Sequence, residues 1–268
     1  MCVPGCREAV QRALSRRGLF TGAAAAGFLA TGVTPALAQR SFTSVVDLTH
    51  TLSPDFPTFF GTPGISIEKR YTLKKDGANV NWWHVLEHAG THLDAPLHYS
   101  ATGASVEMIP AEQLVVPLAV VDVARKAARH ADYELGTHDL LDWEAKHGRL
   151  PEGCCVAMHS GWARRLTSPN FVGKDTGGIM HFPGIHPEAA AWLMNERSVA
   201  GLSVDTLSLD HGPSKDFRTH TLWLPSGRWG IENIANLDKV PAVGATLVVG
   251  VPKVKGATGA PARIFALV

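Results

Sequence analysis

Three histidines and one aspartate fall within eleven residues of this chain, in the run His88-Ala-Gly-Thr-His92-Leu-Asp94-Ala-Pro-Leu-His98. Imidazole nitrogen and carboxylate oxygen suit zinc, manganese and iron, whereas a set without thiolate argues against iron–sulfur clusters and copper(I). The ligand chemistry is that of a divalent hydrolytic or Lewis-acid metal. The spacings of four, two and four residues are all even, so on an extended segment the four side chains share one face. A helix would pair His88 with His92 but throw Asp94 off that face, and Gly90 and Pro96 both oppose helix. A kinked strand or loop is therefore expected. A lone histidine would read as a polar surface residue, but a short histidine-rich tract with an interleaved carboxylate reads as a metal site.

A metal held by His88, His92 and Asp94 leaves positions open for water and substrate, the arrangement of a catalytic site. Such a metal polarises a carbonyl and lowers the pKa of bound water towards about 7. His98, four residues past Asp94, is not counted as a ligand.

The run resembles the HxGTHxDxPxH signature of the cyclase family of metal-dependent hydrolases, which includes bacterial kynurenine formamidases and isatin hydrolases. His88, Gly90, Thr91, His92, Asp94, Pro96 and His98 match every fixed position of that signature. The resemblance continues from Asp47-Leu-Thr-His50 to Gly256-Ala-Thr-Gly-Ala-Pro-Ala-Arg263. It implies an α/β protein of swivelling β/β/α architecture with a barrel-like mixed sheet, assembled as a homodimer or homotetramer. It also implies that His98 is the general acid/base, a role suited to an imidazole near neutral pH. His220 and Glu232 stand where formamidases complete a second metal position. The stretch Asp205–His220 is more similar to isatin hydrolases, which work with a single manganese. One metal or two, and manganese or zinc, both remain open.

The reaction so implied is attack of metal-bound hydroxide on an aryl cyclic amide, isatin giving isatinate. An arylformamidase acting on N-formylkynurenine is the alternative, although Phe59 stands where formamidases carry tryptophan. A further alternative is an exported metal-dependent binding protein for a small aromatic ligand, which would need the metal ligands but no proton carrier such as His98. A cyclase or dehydratase running ring closure would use the same residues.

Phe59, Phe60, Trp82 and Trp83 flank the motif and are expected to wall a pocket for a small aromatic amide substrate. Read otherwise, they are ordinary core aromatics. Ser208, Ser214 and Ser226 lie in no G-x-S-x-G elbow and read as turn residues. Asp205, Asp210 and Asp216 either brace a loop or orient a ligand histidine.

The elements that must position these residues are short. Val45-Val-Asp-Leu48, Leu118–Val123, Cys155–Met158, Val199–Val204 and Ala245–Val251 are β-branched or apolar runs bounded by turn signals, and read as buried strands. Residues 138–148 and 186–197 have helical spacing, the second opening on Pro187. Adjacent Cys154 and Cys155 suit a buried strand better than a disulfide. Residues 39–268 are enough for one large core, with no linker inside them.

Residues 1–38 read differently. Arg16-Arg17, a Gly-Ala-rich apolar stretch and Ala36-Leu-Ala38 make a twin-arginine export signal, which places the mature protein in the periplasm. The stretch is too short and too interrupted for stable membrane insertion. Cleavage removes Arg7, Arg12, Arg16, Arg17 and Glu8, taking the net charge from +1 to about −2. That balance does not suggest nucleic acid as a partner.

Overall fold

The computed structural model describes residues 42–268, so the expected export signal lies outside the described residues. Thirteen strands form within them: β1 Val45–Asp47, β2 Ile65–Tyr71, β3 Val80–Val85, β4 His92–Asp94, β5 Val115–Asp122, β6 Glu134–Leu135 and β7 Cys155–His159; then β8 Gly184–Ile185, β9 Gly201–Val204, β10 Trp229–Glu232, β11 Ala245–Gly250, β12 Gly259–Pro261 and β13 Arg263–Leu267. Three helices matter to the site and its support: α1 Thr137–His147, α2 Pro187–Glu196 and α3 Arg218–Trp223. The strand and helix runs expected from periodicity all appear, with ends shifted by a few residues. Phe42–Val268 forms one compact unit.

Nine strands make one mixed sheet in the order β1-β13-β11-β5-β7-β9-β10-β4-β12. Strands β5, β7, β9 and β10 run parallel to one another, and antiparallel pairs flank them. Only Ala262 separates β12, at one edge, from β13, one strand in from the other edge. A single residue cannot cross a flat nine-stranded sheet at about 4.8 Å per strand. The sheet is therefore curled into a half-barrel, as the barrel-like mixed α/β expectation requires.

Alternation along the strands supplies two cores. Leu118 and Val120 of β5 face a cluster with Leu93, Trp229, Ile231, Leu247 and Ile264 on one face of the sheet. Ala119 and Val121 face the other way, where Leu140 and Trp143 of α1 and Ala189, Ala190 and Leu193 of α2 cover the sheet. Cys154 and Cys155 are free and buried, and burial pushes the Cys154 thiol up to about 12. They are inert packing residues, as their strand context suggested.

The hairpin β2–β3 stands apart from the large sheet, and nearly all of its residues are exposed. No helix among the described residues is long and apolar enough to cross a membrane.

Candidate metal centre

The motif run is kinked at both ends of a very short strand. Gly90 takes a left-handed φ of +65°, a conformation that favours glycine. Pro96 then opens a single 3₁₀ turn, Pro96–Tyr99, which carries His98. Between them β4 keeps strict alternation: Leu93 is buried in the core, while His92 and Asp94 face the site. Antiparallel pairing sets Glu232 of β10 opposite His92 and Gly230 opposite Asp94. Helix α3 brings His220, which lies 3.0 Å from Glu232 Oε1 and 3.7 Å from Asp94 Oδ2 through its Nε2.

All five expected ligands therefore converge. His88, His92 and Asp94 form one group able to hold a cation, and Asp94, His220 and Glu232 form another; Asp94 belongs to both. His92 Nε2 sits 3.3 Å from Asp94 Oδ1 and 3.4 Å from Glu232 Oε2. His88 Nδ1 is 2.6 Å from Asp94 Oδ1.

Each of the three rings is pinned from behind. The Gly90 carbonyl accepts from His92 Nδ1 at 2.9 Å, and also from the Asn233 amide at 3.1 Å. The Asp210 carboxylate accepts from His220 Nδ1 at 2.6 Å and from the backbone N–H groups of Thr219 and His220. His88 Nε2 lies 2.9 Å from Thr258 Oγ1. An outward N–H on each ring leaves the other nitrogen aimed at the carboxylates, as metal-ligating imidazoles are held. His92 Nε2 and Asp94 Oδ2 are buried with no hydrogen-bond partner, a costly state for polar atoms. A divalent cation between them would satisfy both, so the residues present fit a metal.

The electrostatics agree. Burial alone would lower His92, but the Asp94 and Glu232 carboxylates outweigh it and hold the imidazole up at about 10. His220 is likewise raised against burial by Asp210, Asp94 and Glu232. Burial works to raise Asp94, yet His92, His220 and His88 hold it well below the usual carboxylate range. The buried carboxylates thus favour positive charge among the rings, which a dication would supply.

His98 is not one of the converging ligands. Its ring stacks on His88 with centroids 3.8 Å apart and faces His220 at 6.0 Å. Burial lowers its imidazole to about 4, leaving it a neutral proton acceptor beside the cluster.

A cavity of about 300 Å³ opens onto these residues, walled by Phe59, Phe60, Tyr99, Leu207 and Phe217. Phe59 meets Phe217 at 6.0 Å, and Tyr99 meets it at 6.4 Å. Trp82 and Trp83 do not join them within one chain. Strand β3 carries both out on the exposed hairpin, where Trp82 lies under Arg70, 4.1 Å from its guanidinium carbon to the ring centroid. Trp83 instead borders a separate groove of about 710 Å³. Nearness to the motif in sequence does not bring these two residues to the cavity of their own chain.

Tyr99, Phe217 and Thr258 were not singled out from sequence. Tyr99 carried a usable signal, being the residue after His98; the other two did not. The aspartates divide as geometry decides: Asp210 orients His220, whereas Asp205 braces the loop at Ser160 and Trp162. Ser208 bonds the Asp210 backbone N–H as a turn residue does.

Residues 46–211 match the family model described as putative cyclase. The chain belongs to this cyclase family. An isatin hydrolase of Roseibium aggregatum is 32% identical over 243 residues, covering 84% of this chain and 91% of that protein. A kynurenine formamidase of Bacillus cereus is 25% identical over 226 residues, covering 81% and 94%. In fold, a crystal structure of an isatin hydrolase bound to the product analogue thioisatinate superposes with a TM-score of 0.77 and 30% identity, over 84% of this chain and 92% of that one. This member of the cyclase family is an enzyme of the same hydrolase type as these relatives.

Proposed function

We propose that the chain hydrolyses an aryl cyclic amide of the isatin kind, using a divalent cation, manganese or zinc, held by His88, His92, Asp94, His220 and Glu232. One observation carries this reading: an aromatic-walled cavity ends on three back-pinned imidazoles and two buried carboxylates. The likeness to isatin hydrolases supports the choice of substrate.

When bound, the cation supplies Lewis acidity, polarising the amide carbonyl and easing loss of a proton from water. His98, on the border between cluster and cavity, takes the water proton and returns it to the ring nitrogen as the C–N bond breaks. Water thereby adds across the amide, hydroxyl to the carbonyl carbon and hydrogen to nitrogen, and the five-membered ring opens to isatinate. Phe59, Phe60, Tyr99 and Phe217 clasp the flat ring and limit entry of bulk water.

The test is steady-state ring opening of isatin by the protein loaded in turn with manganese and zinc, with N-formylkynurenine run in parallel. Loss of isatin that disappears in His98→Ala establishes the lactam hydrolase. Preference for N-formylkynurenine, the substrate class of the formamidase relatives, moves the assignment to arylformamidase. Metal binding without turnover of either favours a binding protein.

We also propose that residues 1–38 direct export by the twin-arginine route, on the strength of Arg16-Arg17 and the Ala36-Leu-Ala38 site. Replacing both arginines with lysine should trap the protein in the cytoplasmic fraction.

A further inference from the structure

We infer that Thr258 and Glu87 are a positioning pair for His88, fixing the tautomer and rotation of its ring so that Nδ1 faces the cation position. This rests on the metal reading above and adds two residues to it that the cyclase signature does not contain.

The direction of each hydrogen bond follows from what each group can donate. Thr258 Oγ1 lies 2.5 Å from Glu87 Oε2 and 2.9 Å from His88 Nε2, and the Thr258 backbone N–H also reaches Glu87 Oε2 at 3.2 Å. An ionised carboxylate only accepts, and a hydroxyl has one proton to give. That proton goes to Glu87, so Thr258 Oγ1 must accept from His88 Nε2–H. The other ring nitrogen, Nδ1, then presents its lone pair to Asp94 Oδ1 only 2.6 Å away. Two acceptors at that distance repel unless a cation or a proton lies against both. Glu87 thus converts a neutral hydroxyl into an obligate acceptor, and the pair aims His88 at the place where a cation is needed.

The backbone around Thr258 is shaped to the same ring. A Cβ at Gly259 would stand 2.5 Å from His88 Cε1 and 2.6 Å from the Leu93 carbonyl oxygen, so only bare backbone fits beside the imidazole. Register holds this cradle in place: Gly259 pairs with Asp94, and the Ala95 N–H donates to the Thr258 carbonyl at 2.9 Å. One residue bonds the ring edge and the next clears its face. Both are locked to the strand that carries the other two ligands of the group.

The experiment uses the full chain stripped of metal and titrated with cobalt(II), read by calorimetry and by the visible absorption of the bound ion. Wild type, Thr258→Val, Thr258→Ser and Glu87→Gln are compared, with far-UV circular dichroism of each metal-free protein as the folding control. Thr258→Val should bind cobalt about 10–100-fold more weakly, the usual cost of losing a group that orients a ligand. Serine, which keeps the hydroxyl, should restore binding. Glu87→Gln should fall between, because an amide can donate to the hydroxyl and reverse the relay.

Wild-type affinity and spectrum in Thr258→Val, or a folded Thr258→Ser as weak as valine, would overturn the inference. If Thr258→Val does not fold, the half-buried Glu87 decides: wild-type cobalt affinity in Glu87→Gln overturns it, and weakened affinity supports it. Failure of the wild type to bind cobalt would instead overturn the metal reading, and this inference with it.

Discussion

Asp210 and His220 are ten residues apart in sequence and 2.6 Å apart in space, carboxylate against imidazole Nδ1. The same carboxylate accepts from the Thr219 and His220 backbone N–H groups at 2.7 and 3.2 Å. It therefore fixes the first turn of the helix and the tautomer of the ring together. Asp210→Asn places an amide where only an acceptor serves all three donors. Metal affinity in this variant should fall by about 10–100-fold, measured by competition with a chromophoric chelator; unchanged affinity would remove Asp210 from the site.

His98 touches the candidate ligand His88 by stacking alone. His98→Ala should therefore keep its metal and lose turnover, by about 10²–10⁴-fold in kcat, the range of a general acid/base. Metal content by atomic emission and kcat on the same sample separate the two effects. Full activity with metal retained would reassign the proton carrier.

Buried His92 Nε2 and Asp94 Oδ2 lack partners in the protein, so the folded state has more to gain from a cation than the unfolded chain has. Metal at a hundredfold excess over its Kd should stabilise by about 2.7 kcal/mol, roughly 5–10 °C in Tm for a domain of this size. Differential scanning fluorimetry with and without chelator checks this. A Tm indifferent to chelation, in a preparation shown to contain metal, would contradict it.

Glu144 braces the end of α1 against the turn after α2, meeting Arg197 Nε at 2.8 Å and Nη2 at 2.9 Å and accepting from the Leu150 N–H. The Arg197 hydrogen bonds outweigh desolvation and hold its carboxyl below the usual range. Its stabilising contribution is thus complete above the ordinary carboxylate pKa and is lost as pH falls through the depressed folded value. Glu144→Gln should cost about 1–2 kcal/mol at pH 7, and the gap from wild type should close in strongly acidic solution. Urea midpoints measured across that window test the sign; a gap that widens towards acid would refute it.

The candidate metal ligands were legible to different depths, for a physical reason. His88, His92 and Asp94 are local, and their spacing alone exposes them. His220 and Glu232 came through only by family resemblance, because α3 and β10 approach β4 through sheet pairing that no periodicity reveals. Thr258 is 170 residues from His88, and a threonine in a glycine-rich turn carries no mark of its task. Trp82 and Trp83 show the converse: they lie close to His88 along the chain, but β3 carries them onto the exposed hairpin, away from the cavity of their own chain. Strands and helices were legible because burial imposes periods of about two and 3.6 on the sequence. Strand order was not, since it depends on long connections that leave no periodic trace.

The single residue Ala262 joins strands that belong to opposite ends of the curled sheet. Opening either end must therefore pull on the other, and the two should share one unit of local unfolding. Amide protons of β12, beside the candidate metal, and of β13, far from it in sheet order, are expected to exchange with solvent at matching rates. Metal loading would then slow exchange at both, turning the seam of the half-barrel into a reporter of the occupancy of its active site.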